Sequence, residues 1–120
     1  MATRGIRGAT TLDENSKEAI KHSTIELLSE LLSKNSVLKE DISHVIFTFT
    51  PDINADFPAK YARTELGFDA VPMICINEIA PDGALEMCFR VLLVVNTDKS
   101  QDEIHHVYLG GAKKLRPDLV

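Results

Sequence analysis

The chain has 120 residues, with Lys+Arg 13 against Asp+Glu 18 and a formal charge of −5. It is 44% hydrophobic and 26% charged, with a mean hydropathy of −0.03. That size fits one domain, the acidic balance argues against a nucleic-acid-binding surface, and no apolar run approaches the ~18–20 residues of a membrane span.

No repeat, low-complexity tract or linker divides residues 1–120, which are read as a single domain. Residues 1–15 lack the apolar stretch of a secretory signal and the arginine content of a transit peptide, so a cytoplasmic protein is expected. The two cysteines, Cys75 and Cys88, have no CxxC or metal-finger spacing and are expected to be buried and reduced.

Residues 2–11 read as a strand, with turn-prone Gly5 and Gly8 flanking Ile6 and Arg7. Arg4 and Arg7 are an odd number apart, so a regular strand sends them to opposite faces and only one can address a given cleft. Asn15 reads as a helix N-cap, with Glu18 three residues on completing a box-like start. Over 16–34, Ile20, Leu27, Leu28, Leu31 and Leu32 gather on one helical face, and Asn35 is the stop. Residues 42–50 (ISHVIFTFT) form a β-branched and aromatic strand. Val45, Phe47 and Phe49 share one face, Ile46 and Thr48 the other, as suits a central strand.

Phe57-Pro58 opens a second helix that Gly67 ends, and Lys60 and Arg63, three apart, share one of its faces. A strand at 70–76, a turn at Pro81-Asp82-Gly83 and a strongly apolar strand at 87–96 (MCFRVLLVVN) follow. A Ser100/Glu103 capping box starts a brief helical turn before a last strand at 106–109. The order predicts an α+β domain, a mixed β-sheet with its helices packed on one face. No helix remains to bury the other face, so association between copies is expected.

Arg90 stands out. It lies inside the apolar strand between Phe89 and Val91, on the face of Cys88 and Leu92. An unpaired guanidinium there would be very costly, so it must have an anionic partner, either a structural carboxylate or a ligand. The five arginines, against eight lysines, fall on strands, a helix face and the tail, and arginine is the residue suited to forked recognition of carboxylates. Glu78 follows a strand at its C-terminal end, where site residues gather, and is either a site carboxylate or the counter-ion of Arg90. Cys75 has no His/Asn partner motif to make it a nucleophile, and Tyr108 either packs at a sheet edge or binds ligand. The four histidines show no HxH or HExxH spacing, so no metal site is expected. The absence of a Walker loop, GxGxxG and GxSxG removes nucleotide-binding and serine-hydrolase readings.

The blocks RGIRGATT (4–11), TPD (50–52), FPAKYAR (57–63), VPMICINE (71–78), CFRVLL (88–93), NTDKSQDEIHHVYL (96–109) and LRPDL (115–119) occur in that order. Together they resemble the monofunctional, homotrimeric chorismate mutases of bacterial type, over nearly the whole chain. That resemblance implies an isomerase that turns chorismate into prephenate by a Claisen [3,3] shift in phenylalanine and tyrosine biosynthesis. It implies no metal and no cofactor, and three subunits closing into a pseudo-α/β barrel with a site at each interface. By position, Arg90 matches the cation that reaches the ether oxygen and a carboxylate. Arg7 matches an arginine gripping the other carboxylate region, delivered across the interface. Glu78 matches the group that binds the ring hydroxyl, and Tyr108 a hydrogen-bonder to carboxylate. Ile74, Cys75, Ile76 and Asn77 lead up to Glu78 along the pocket, with Ile74 where relatives can carry a small polar residue. Phe57, Ala59 and Leu115 match apolar walls, and Lys60, Arg63 and Arg116 a positive rim. Two other readings fit an arginine-lined trimer, a non-catalytic binder of carboxylate metabolites and an enamine/imine deaminase. Glu78 kept together with Arg7 and Arg90 favours the mutase over both.

Overall fold

The computed structural model describes residues 1–119. Its elements run β1 (Ala2–Thr11), α1 (Lys17–Lys34), β2 (Ile42–Phe49), α2 (Pro58–Leu66), β3 (Met73–Asn77), β4 (Cys88–Thr97) and β5 (Val107–Tyr108). Short 3-10 turns occupy Lys39–Asp41, Gln101–Glu103, Gly110–Leu115 and Pro117–Leu119. The strands form one sheet in the order β3-β2-β4-β1-β5. β4 runs antiparallel to β1 and β2, whereas β3 is parallel to β2 and β5 to β1. The mixed α+β architecture expected from the element order is the one observed.

Both helices lie on one face. Ile6, Val45, Phe47, Phe89, Val91, Leu93 and Val95 of the sheet bury against Ile20, Leu27, Leu28 and Leu31 of α1 and Tyr61 and Ala62 of α2. The Phe47 and Phe89 rings stack at 5.8 Å in this layer. Helix α1 sits close because β1 offers a glycine beneath it. A Cβ on Gly8 would stand 2.9 Å from Leu31 Cδ1 and 3.1 Å from Leu27 Cδ1. The opposite face stays open, leaving Ile74 56%, Ile76 45% and Leu92 37% exposed. Among the described residues no helix is long and apolar enough to cross a membrane.

Local details differ from expectation. The N-cap of α1 is Ser16, whose Oγ accepts the Ala19 N–H at 3.1 Å. Asn15 instead accepts the backbone N–H groups of Asn54 and Ala55, both at 3.0 Å, tying the loop after β2 to the start of α1. β3 begins at Met73, because Pro72 has no N–H to give a ladder and the Val71 N–H turns back to the Phe68 carbonyl. Asn35 and Gly67 end their helices as expected, Gly67 with a left-handed φ of 72°. The Ser100/Glu103 capping box is present. β5 is only two residues long, since Asn35 takes both backbone groups of His105, at 2.7 and 2.8 Å. Gly110, at φ 55°, then turns the chain into a 3-10 segment where the tail had no predicted structure.

Candidate active site

The register of the sheet builds the site. On the open face, Ile76, Thr48, Arg90, Ala9 and Tyr108 form a row across all five strands, and Ile74, Ile46, Leu92 and Arg7 form the next. Alternation along each strand explains why these side chains share a face. Arg7, Ile46, Thr48, Arg90 and Leu92 line a cavity of about 260 Å³. Arg4, an odd number away, donates its Nε–H to the Lys99 carbonyl at 2.9 Å and takes no part.

Glu78, beyond the end of β3, contacts two of these lining residues, Thr48 and Arg90. Its N–H donates to the Phe49 carbonyl at 2.9 Å, continuing the ladder and fixing where the side chain leaves the backbone. Glu78 Oε2 accepts from the Thr48 hydroxyl at 2.5 Å and stands 3.1 Å from Arg90 Nε. The Arg90 Nε–H is not aimed along that contact, so the pair is held by charge more than by a directed hydrogen bond. The carboxylate is 16% exposed and the guanidinium 33%, so the pair is only partly withdrawn from solvent. A guanidinium carries five N–H donors, and this contact leaves most of Arg90's donors for a ligand. Arg7 has no carboxylate partner among the described residues. The buried Tyr108 hydroxyl likewise has no hydrogen-bond partner among them, and its ring packs with Ala9, Ala112 and Leu115.

A second group lies apart from the first. Phe57, Ala59, Lys60, Arg63, Met73, Ile74 and Cys75 line a separate cavity of about 430 Å³ where α2 meets β3. Asn77 joins Phe57 and Cys75 around a neighbouring hollow. Lys60 Nζ lies 3.2 Å from Asp56 and 5.5 Å from the Tyr61 ring centre. Hydrogen bonds from Tyr61 and the Phe57 N–H hold the Asp56 carboxyl down to about 2, and Asp56 in turn pushes Tyr61 up to about 12. Burial pushes the half-buried Cys75 thiol up, which keeps it protonated and unreactive. Arg63 is exposed and forms no ion pair among the described residues, whereas Arg116 forks onto Asp118 at 3.0 and 3.1 Å.

The first cavity thus offers two guanidiniums and the Thr48 hydroxyl, with the Glu78 carboxylate and the Tyr108 hydroxyl beside it, a set suited to holding an anion that includes no nucleophile with an adjacent base. Residues 3–119 match the family described as chorismate mutase type I. The chain belongs to that family. It is 43% identical over 119 residues to the chorismate mutase AroH of Bacillus subtilis (strain 168), covering 99% of this chain and 94% of the relative. It is 45% identical over 117 residues to the chorismate mutase AroH of Thermus thermophilus, covering 97% and 95%. A solved chorismate mutase from Clostridium thermocellum superposes with a TM-score of 0.89 at 46% identity, over 92% of this chain and 97% of that one.

Within this type I chorismate mutase chain, the sequence-predicted residues separate into two sets. Arg7 and Arg90 line the first cavity, with Glu78 against Arg90 and Tyr108 and Leu115 in the neighbouring cluster; Phe57, Ala59, Lys60, Arg63, Ile74 and Cys75 line the second. Arg7, expected to be delivered across an interface, lines one cavity with Arg90 on the same chain, because Arg7 pairs with Leu92, two residues along β4 from Arg90. The Arg116 charge, expected on an open rim, is occupied by Asp118. Sequence reasoning placed Thr48 on the right face but did not see its part. Thr48 holds Glu78 and pairs directly with Arg90 across the sheet, a relation that exists only once β2 and β4 are known to be neighbours.

Proposed function

We propose that the protein is a chorismate mutase of aromatic amino-acid biosynthesis, converting chorismate to prephenate at sites completed by a neighbouring copy in a homotrimer. The observation that carries this reading is the pair Arg7 and Arg90 lining one cavity, with Glu78 held against Arg90 and Thr48 fixing that carboxylate. Chorismate carries two carboxylates, a ring hydroxyl and the enol ether that breaks. The rearrangement is unimolecular, so it needs no nucleophile and no proton transfer. It needs the flexible enolpyruvyl group held over the ring and a cation where charge grows on the ether oxygen.

Arg7 and Arg90 supply the first requirement by fixing carboxylates, which converts a floppy reactant into one close to the reacting geometry. Arg90 supplies the second. Its guanidinium is already anchored at Glu78, so it stabilises the stretching C–O bond without reorganising as water would. Glu78 accepts a hydrogen bond from the ring hydroxyl, and the Tyr108 hydroxyl, without a partner among the described residues, turns to a carboxylate.

The trimer reading rests on two observations. The sheet leaves Ile74, Ile76 and Leu92 exposed on the face opposite the helices, an apolar surface that a second sheet would cover. The second cavity, with Lys60 and Arg63 as cations and Phe57 and Ala59 as walls, stands apart from the first on one chain. Packing three sheets into a pseudo-α/β barrel sets one copy's second cavity against another's first. The unpaired thiols of Cys75 and Cys88 accord with work in the cytoplasm.

Incubating the purified protein with chorismate and no other addition should consume the chorismate absorbance and yield prephenate in equal amount. Light scattering should report three times the chain mass. Chorismate bound but unchanged would contradict the enzyme reading and support a carboxylate binder.

A further inference from the structure

His106 takes the place of a backbone group in the sheet. β5 pairs parallel with β1, and the Leu109 N–H donates to the Ala9 carbonyl at 2.9 Å. Continued regularly towards the start of both strands, this ladder would send the Arg7 N–H to the His105 carbonyl. That carbonyl is already engaged by the side chain of Asn35, which also accepts the His105 N–H. Asn35 is itself fully tied, its Nδ2 also reaching the Leu31 carbonyl and its own carbonyl accepting from Lys99 Nζ at 2.7 Å. The Arg7 N–H donates instead to His106 Nδ1 at 2.9 Å.

We propose that His106 is a positioning residue for Arg7, its neutral imidazole fixing the Arg7 backbone so that the guanidinium stays in the chorismate cavity. This rests on the reading that Arg7 binds a substrate carboxylate. Nδ1 can accept only when it carries no proton, so the bond exists in one tautomer of the neutral ring, with the proton on Nε2. Protonation sets N–H against N–H and places a second cation beside Arg7.

The charged groups facing the ring are Arg7 on β1, Arg116 between the last two 3-10 segments and the neighbouring His105, with no carboxylate among them. Burial first, and then these cations, hold His106 below its ordinary 6.5. It is therefore neutral at pH 7, and the hold on Arg7 is lost only as the pH falls through this lowered pKa. Because a carboxylate grip acts on substrate and transition state alike, the loss should appear mainly in KM.

The test is kcat and KM for chorismate between pH 5 and 8, in the wild type, His106→Ala and His106→Asn. The Asn amide oxygen can accept the Arg7 N–H but cannot titrate. His106→Ala should lower kcat/KM about three- to tenfold at pH 7.5, the scale of one hydrogen bond, chiefly through KM. His106→Asn should recover most of that loss and should lack the fall in kcat/KM that the wild type shows on acidification below pH 6.5. An acid fall that persists in His106→Asn overturns the proposal, as does a folded His106→Ala with wild-type KM at pH 7.5. If His106→Ala does not fold, the comparison of wild type with His106→Asn decides alone. A wild type without mutase activity would refute the underlying function instead, so the two failures are distinguishable.

Discussion

Arg90→Ala separates the two roles that a charged residue in a strand can have. In the structure its guanidinium touches one carboxylate, Glu78, which keeps the Thr48 hydroxyl when Arg90 is gone. The pair is partly exposed, so its loss should cost about 1 kcal/mol of stability, or roughly 4 °C in Tm. Deleting one preorganised donor to a developing oxyanion costs about 10²–10³-fold in kcat, or ~2.7–4 kcal/mol, and a full charge costs more. Catalysis should therefore suffer well beyond stability. The assay is chorismate consumption at saturating substrate, run beside thermal melting and light scattering. Arg90→Lys should recover little, since an ammonium cannot reach ether and carboxylate together as a fork can. A folded Arg90→Ala with near-native kcat would refute the reasoning, and a rise in KM alone would reduce Arg90 to a binding contact.

Gly8→Ala should lower Tm, because the new methyl meets Leu31 and Leu27 of α1 inside normal contact distance, and overpacking of this kind costs about 1–3 kcal/mol. An unchanged Tm would show that α1 is not seated as described. Asp56, held at about 2 against its ordinary 3.8, stabilises the fold above pH 3.8, and that contribution is lost as the pH falls from 3.8 towards 2. The Tm gap between wild type and Asp56→Asn should close over that interval; a gap that stays constant to pH 2 would contradict the assignment. Exhaustive EDTA treatment should leave the activity intact, and loss restored by a divalent ion would refute the metal-free mechanism.

Much of the site was legible because strand parity is strict. The odd spacing of Arg4 and Arg7 foretold that one would serve the cavity and the other would not, and the structure turns Arg4 to the Lys99 carbonyl. An arginine inside MCFRVLLVVN required an anion, and Glu78 is there. What the sequence hid depends on contacts between distant segments. Asn15 and Ser16 are equally good caps by type, and only the loop at Asn54 and Ala55 decides between them. The shortness of β5 comes from Asn35, seventy residues before His105. The grouping of Arg7 with Arg90, apart from Arg63 and Cys75, follows from strand order, which local pattern does not encode.

A working site that joins the first cavity of one copy to the second cavity of another, as proposed, can be tested by disabling each half in a separate variant. Arg90→Ala disables the first, and Arg63→Glu, at an exposed position, reverses a rim cation of the second. Each variant alone should be inactive or nearly so. After subunit exchange of an equal mixture, about one site in four should join two intact halves if copies assort at random. The same mixture of Arg7→Ala with Arg90→Ala should recover nothing, because both lesions fall in the first half. Chorismate turnover should come near a quarter of wild type in the first mixture and be absent from the second. Recovery in neither, with exchange verified by mass spectrometry, or in both, would contradict the joined site.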